Sequence, residues 1–355
     1  GFDAVNITVT KVRVHQSSAA ADTDAGWTDI TLSPAKKINL LNLTNGVLEQ
    51  LGQTPLSAGQ YSQLRLVLAQ NGGATFANSV VASGTVAEVA FDTPSAVQSG
   101  IKLVNQFTVI AGQRVDLVLD FDACKSIVTK GNGQYSLKPV VKVIPTAVNG
   151  IQGFMATTVL GDRVSVSAQQ NGTIVSSTVP STTGEFFLSR LPVGNYDVVF
   201  VADNRATAVI ASVPVATTTS ITNVSTVSTP TTLLAATAPM RSISGTVSMT
   251  PTSATEYGDV SAKQSFAGGP TVTIRERTAD AVNGSYTLGS LPSVAPQLGS
   301  YSATLPIALS TQLNTVPGTG KYVVQASATG YTTKSIASVD VTLVNQTGVN
   351  FALIP

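Results

Sequence analysis

The chain has 355 residues, with 20 Lys and Arg against 19 Asp and Glu and only 11% charged residues in all. Neither sign gathers into a run that would neutralise phosphates or anionic lipid, which argues against nucleic-acid and membrane-surface partners. No stretch approaches the roughly 18 apolar residues of a membrane span, and the single cysteine excludes an internal disulfide framework or a thiolate metal cluster.

At about 100–150 residues per domain the length suggests two or three domains. The 43% of hydrophobic residues supplies apolar material for three cores. Low charge with abundant Thr, Ser, Val and Ala is the composition of β-sheet with small polar faces. No signal peptide opens the sequence, so Gly1 reads as a processed or truncated start.

The expected architecture is all-β, three tandem sandwiches of Ig-like or transthyretin-like type over 1–146, 147–240 and 241–355. In the first, Val5, Ile7 and Val9 alternate with Asn6, Thr8 and Thr10, and the pattern runs on through Val12 and Val14. This period of two marks a half-buried strand. Residues 61–69, 114–121 and 135–144 read the same way. One short helix is predicted over Leu40–Leu51, where Leu40, Leu43, Val47, Leu48 and Leu51 fall near helical spacing and Gly52 follows as a stop.

The second and third segments share a phrase. In one it is Gly184-Glu185-Phe186-Phe187-Leu188, then Leu191-Pro192-Val193-Gly194-Asn195-Tyr196; in the other, Gly284-Ser285-Tyr286-Thr287-Leu288, then Leu291-Pro292 and, after an insertion over 293–319, Gly320-Lys321-Tyr322. A Gly turn enters a strand with an inward aromatic, Leu-Pro ends that strand, and a second Gly turn starts the next. The segments are therefore read as a tandem repeat. Between them, residues 216–238 hold a last strand and a linker. Insertions as long as 293–319 are usually functional or disordered.

The first segment resembles the bacterial domain of unknown function 4382, found in exported lipoproteins. The resemblance is carried by Ala4-Val5-Asn6-Ile7-Thr8-Val9, Trp27, Leu40-Leu41-Asn42-Leu43-Thr44-Asn45-Gly46, Leu56-Ser57-Ala58-Gly59-Gln60-Tyr61, Asp120-Phe121-Asp122-Ala123-Cys124 and Leu137-Lys138-Pro139. It implies a surface location and no activity. It also implies a further strand and a cysteine upstream, so Cys124 becomes a candidate for a disulfide to a segment outside this chain, a buried core thiol being the alternative. The second and third segments resemble carboxypeptidase-regulatory-like domains of the transthyretin or Cna-B type, which string along surface proteins as stalks.

Catalytic and binding chemistry is sparse. The lone histidine, His15, reads as a structural imidazole at a strand end, with metal ligation as the alternative. Ser33 and Lys36 fit a Ser-x-x-Lys box by letter but lack its companion boxes. Asp116, Asp120 and Asp122 read as sharing one strand face, where they could hold Ca²⁺, act as paired acid and base on a sugar, or form a polar face paired with basic residues. Asp22, Asp24 and Asp29 form a second acidic loop. Lys263, Lys321 and Lys334 are the third segment's lysines available for an isopeptide bond.

The sequence therefore predicts a non-enzymatic, extracellular protein of a bacterial cell surface without cofactor or metal, a stalk or filament subunit whose partner is itself. The rival is an adhesin whose first domain recognises a surface glycan, a protein or Ca²⁺. For assembly, the upstream strand implied by the resemblance leaves the first domain with an expected unpaired sheet edge. The apolar residues Val349, Phe351 and Leu353 near the C-terminus are the candidate strand to fill it in a neighbouring copy.

Overall fold

The computed structural model describes residues 1–44, 47–72, 75–93, 96–103, 106–112, 115–145, 149–253 and 255–355, apart from the side chains of Cys124, Ile144 and Pro145. Strands dominate throughout. The chain divides into one unit over 1–43 and 47–146 and a second whose body is 147–355.

The first unit contains β1 (Phe2–His15), β2 (Thr28–Asn39), β3 (Gly59–Tyr61), β4 (Gln63–Leu68), β5 (Ser79–Ala82), β6 (Glu88–Asp92), β7 (Ile101–Leu103), β8 (Phe107–Val109), β9 (Leu117–Phe121), β10 (Ile127–Thr129), β11 (Tyr135–Leu137) and β12 (Val141–Pro145). Its main sheet runs β10-β11-β6-β5-β1-β4-β7, with β2 also on β1. Two strand pairs, β9 with β12 and β3 with β8, lay half-buried Leu119, Phe121, Val143 and Phe107 against its core. Because β1 pairs with β2, β4 and β5, the strand that opens the chain is interior to its sheet.

Helix is scarcer than predicted. Among the described residues of Leu40–Leu51 the helical structure is a 3-10 turn over Leu40–Asn42, capped by the Asn39 side chain, which accepts from Leu41 N at 3.1 Å; Asn45 and Gly46 lie outside the described residues. The physical reason is that the apolar positions do not share a face: Leu40, Leu41, Leu43 and Leu51 pack on the core while Val47 and Leu48 are exposed. The first unit's short α-helix, α1, is instead Ala123–Ser126. The strand expected over 135–144 is split at Pro139, which has no N–H to give a ladder, so that β11 and β12 serve different sheets.

The second unit holds β13 (Gly150–Phe154), β14 (Ser165–Gln170), β15 (Thr173–Thr178), β16 (Glu185–Ser189), β17 (Gly194–Val201), β18 (Ala208–Val215) and β19 (Ile221–Asn223). They are followed by β20 (Arg241–Met249), β21 (Asp259–Phe266), β22 (Thr271–Thr278), β23 (Ser285–Leu291), β24 (Gln297–Ser300), β25 (Ser310–Thr311), β26 (Thr315–Val316), β27 (Lys321–Ser327), β28 (Lys334–Asp340) and β29 (Phe351–Leu353). Two sandwiches emerge with one plan. Sheet β16-β13-β19 faces β15-β14-β17-β18, and sheet β23-β20-β29 faces β22-β21-β27-β28. Even the irregularities coincide, for a register shift falls after Ala168 in β14 and after Ala262 in β21, and another after Tyr196 in β17 and after Tyr322 in β27.

The shared phrase explains this match residue by residue. Gly184 and Gly284 have φ of +85° and +67°, and a Cβ there would lie 2.2 Å from Met155 O and 2.1 Å from Val247 O, so only glycine fits. Tyr196 and Tyr322 are buried, and their hydroxyls donate to Pro192 O at 2.6 Å and to Pro292 O at 2.5 Å. Tyrosine and proline lie four residues apart in the first case and thirty in the second. The insertion is thus spliced between two halves of a conserved local bond.

Candidate functional site

The site the fold builds most fully is the junction inside the second unit, and it begins with strand β17. Val198, Val199, Phe200 and Val201 are consecutive apolar residues, all buried, so both faces of the strand are covered. Val198 and Phe200 point into their own sandwich, whereas Val199, Val201 and Val209 of neighbouring β18 join the core of the next sandwich with Ile243, Val260 and Val272. Each valine so buried contributes about 1.5–3 kcal/mol.

Polar groups fix the register of this contact. Gln169 is fully buried on β14, and its side-chain amide acts as a substitute strand: Nε2 donates to Thr273 O and Oε1 accepts from Thr273 N, both at 2.8 Å. Thr273 Oγ1 donates to Gly172 O at 2.6 Å. Asp203 bridges Arg163 and Arg275, the latter at 3.4 Å. Burial pulls the Arg275 guanidinium below its ordinary range, and Asp203 opposes that pull. The paired amide and hydroxyl of Gln169 and Thr273 make their burial tolerable, whereas Arg275 keeps its Nε buried without a hydrogen-bond partner.

The insertion closes the junction. Its strand β24 adds in parallel to β18, pairing Gln297 with Ala208, Leu298 with Val209, Gly299 with Ile210 and Ser300 with Ala211. Gln297 N donates to Thr207 O at 2.8 Å and Tyr301 N to Ala211 O at 2.9 Å. Leu298 packs on the core of its own sandwich while Tyr301, Ile307 and Leu309 pack on that of the preceding one. After β25, β26 returns to β21 in its own sandwich. The segment 293–319 is therefore a strap, anchored at both ends in one sandwich and completing the sheet of the other.

Of the junction the sequence marks only the insertion over 293–319, by its length; the valine face, Gln169 and Asp203 go unmarked, although a signal for the valines is present. The unbroken run Val198–Val201 departs from the alternation of its counterpart Tyr322-Val323-Val324-Gln325-Ala326-Ser327. A strand apolar on both faces has something packed on each.

The sequence candidates are distributed differently. The C-terminal candidates lie in their own sandwich: β29 pairs in parallel with β20 as the last strand of its sheet, Phe351 and Leu353 are buried, and Val349 O accepts from Tyr286 Oη at 2.5 Å. Asp116, Asp120 and Asp122 do not share a strand face. Asp116 precedes β9, Asp120 is exposed on it opposite Lys142, and Asp122 caps α1 by accepting from Lys125 N at 3.0 Å. Asp22 bridges Arg65, Asp24 accepts from Ala21 N, and Asp29 bridges Lys11 and Arg13. Among the described residues no group of three or more His, Cys, Asp or Glu is placed to hold a metal ion. The Cys124 side chain lies outside the described residues.

His15 is held at both nitrogens: Nδ1 accepts from Ser17 N at 2.9 Å, leaving Nε2 to donate to Ala25 O at 3.0 Å. Both bonds pin the loop that carries Trp27. Arg13 and Arg65 are direct cross-strand neighbours, and the Trp27 ring centroid lies 4.7 Å from each guanidinium carbon. Trp27 and the aspartates thereby offset a like-charge pair. A ring so committed is a poor platform for a sugar. Lys36 bridges Glu49 rather than meeting Ser33, Lys263 donates to Gln325 Oε1 at 2.8 Å, Lys321 bridges Asp340, and Lys334 is exposed on β28.

No curated protein matches the chain in sequence. Among solved structures it is similar to a type II cohesin–X-dockerin complex from Acetivibrio cellulolyticus, at 24% identity, covering 25% of this chain and 58% of that one with a TM-score of 0.21. It is also similar to the TIE protein of Bacillus anthracis, at 10% identity, 100% and 52% coverage and TM-score 0.17, and to a streptococcal ancillary pilin, at 10% identity, 97% and 91% coverage and TM-score 0.17. The chain thus spans little more than half the length of the first two. The first unit is similar to a sequence family, and residues 1–139 match its model, described as Domain of unknown function (DUF4382).

Proposed function

We propose that the protein is an extracellular, non-enzymatic structural component of a bacterial cell surface, a stalk or filament subunit in which sandwiches serve as rigid spacers. The observation that carries this reading is the strapped junction. Two sandwiches that share core valines, a buried glutamine seam and an added strand resist bending where a plain linker would not. We take 1–146, 147–240 and 241–355 as the three domains, the latter two of carboxypeptidase-regulatory-like type. No helix among the described residues is long and apolar enough to cross a membrane.

Immunogold electron microscopy of producing cells, with an antibody against the purified chain, tests the proposal. Label on surface fibres or along the outer envelope is expected. Label confined to the cell interior overturns it.

A further inference from the structure

The junction joins unlike surfaces. The second sandwich offers an apolar sheet face and the side of β18 on which β24 pairs; the third offers the strap and the edge of β22. Register places Gln325, Ser327, Ser335 and Lys263 of the third sandwich where the second has Val199, Val201, Val209 and Gln169. The third thus presents a polar face where the second is apolar. The cover the structure shows on the valine face of the second sandwich is the third sandwich with its strap.

The connection between them shows where that cover is tethered. Residues after β19 stay with the second sandwich: Val224 N donates to Gln152 O, Thr231 N to Phe154 O and Ala236 N to Asn204 O, while Leu234 O accepts from Ala206 N. Only Thr237–Met240 remains before β20, without strand or helix and fastened through Ser293 Oγ, which donates to Pro239 O at 3.1 Å.

We infer that the third sandwich exchanges between copies, the strap and β22 edge of one chain seating on β18 and the valine face of a second copy. The inference rests on the reading of the chain as a structural subunit and names its self-contact. Every junction contact is conserved on exchange, so the balance is set by concentration against the millimolar effective concentration that a short tether gives its own partner. One-way exchange between unlike surfaces propagates as a linear chain, and reciprocal exchange closes as a dimer. Both contain the same inter-chain β24–β18 pair.

That pair is the readout. In a Cys124→Ser background, full-length chains carrying only Ala211→Cys are mixed with chains carrying only Ser300→Cys, incubated at millimolar concentration and oxidised. Disulfide-linked dimers and longer species are expected, well above a control pairing of Ala211→Cys with Thr85→Cys, and a hundredfold dilution before incubation should remove them. The double variant Ala211→Cys/Ser300→Cys, which closes within one chain, shows that the geometry permits the bond. If the double variant closes while the mixture yields no more inter-chain product than the control, exchange is overturned, and the surface role, read separately by immunogold, stands. Should the double variant fail to close, the β24–β18 register itself is wrong and the inference falls with it.

Discussion

At the scale of single residues, the tyrosines of the second unit do more than fill space. Each buried ring ends in a hydroxyl that satisfies a carbonyl next to a chain reversal, at Pro192, Pro292 or Val349. Tyr196→Phe and Tyr322→Phe each leave a carbonyl without its donor and should lower stability by about 1–3 kcal/mol in urea titrations. Burial also raises the ionisation range of all three, that of Tyr286 to about 12. A tyrosine that titrates later folded than unfolded holds its stabilisation below the free value of about 10 and loses it as pH climbs towards 12. The melting temperature of the second unit should accordingly fall between those values, and less steeply in Tyr286→Phe. At Gly284, alanine would set a Cβ 2.1 Å from Val247 O; Gly284→Ala should destabilise its sandwich by at least about 1–3 kcal/mol, and a neutral result in thermal melts would show that the turn can shift.

At the scale of elements, the strap and the final strand carry separate predictions. Replacing residues 294–318 with a short Gly-Ser linker uncovers the β18 edge and removes Tyr301, Ile307 and Leu309 from the preceding core. Calorimetry should then show the single transition of 147–355 split into two. Deleting 349–355 removes buried Phe351 and Leu353, at about 2–5 kcal/mol each, and should unfold the third sandwich; loss of polymers in that variant would report unfolding rather than a missing link. What the sequence revealed follows from which forces are local. The period of two gave β1, and the glycine and Leu-Pro phrases gave the tandem repeat, because strand alternation and turn chemistry are written in neighbouring residues. The helix at Leu40–Leu51 went wrong because helical spacing alone does not say that Val47 and Leu48 face solvent. The pairing of β29 with β20, and of β24 with β18, spans about a hundred residues and has no local mark.

At the scale of the whole molecule, cooperativity should follow contacts rather than repeats. The first unit has its own core, whereas the cores of the two later sandwiches are tied together by Val199, Val201 and Val209, which belong to strands of one and are buried in the core of the other. Hydrogen exchange read by mass spectrometry should give peptides from 150–223 and 241–353 one common opening rate, with peptides from 1–145 following another; separate rates for the two later sandwiches would mean that the junction is weaker than its burial implies. The contrast between Val199, Val201 and Val209 and their counterparts Gln325, Ser327 and Ser335 shows how little separates a face that welds to a neighbour from one that stays wet. Strand, register and bulge are the same in both sandwiches; three side chains decide whether the sheet seeks a cover or keeps its water.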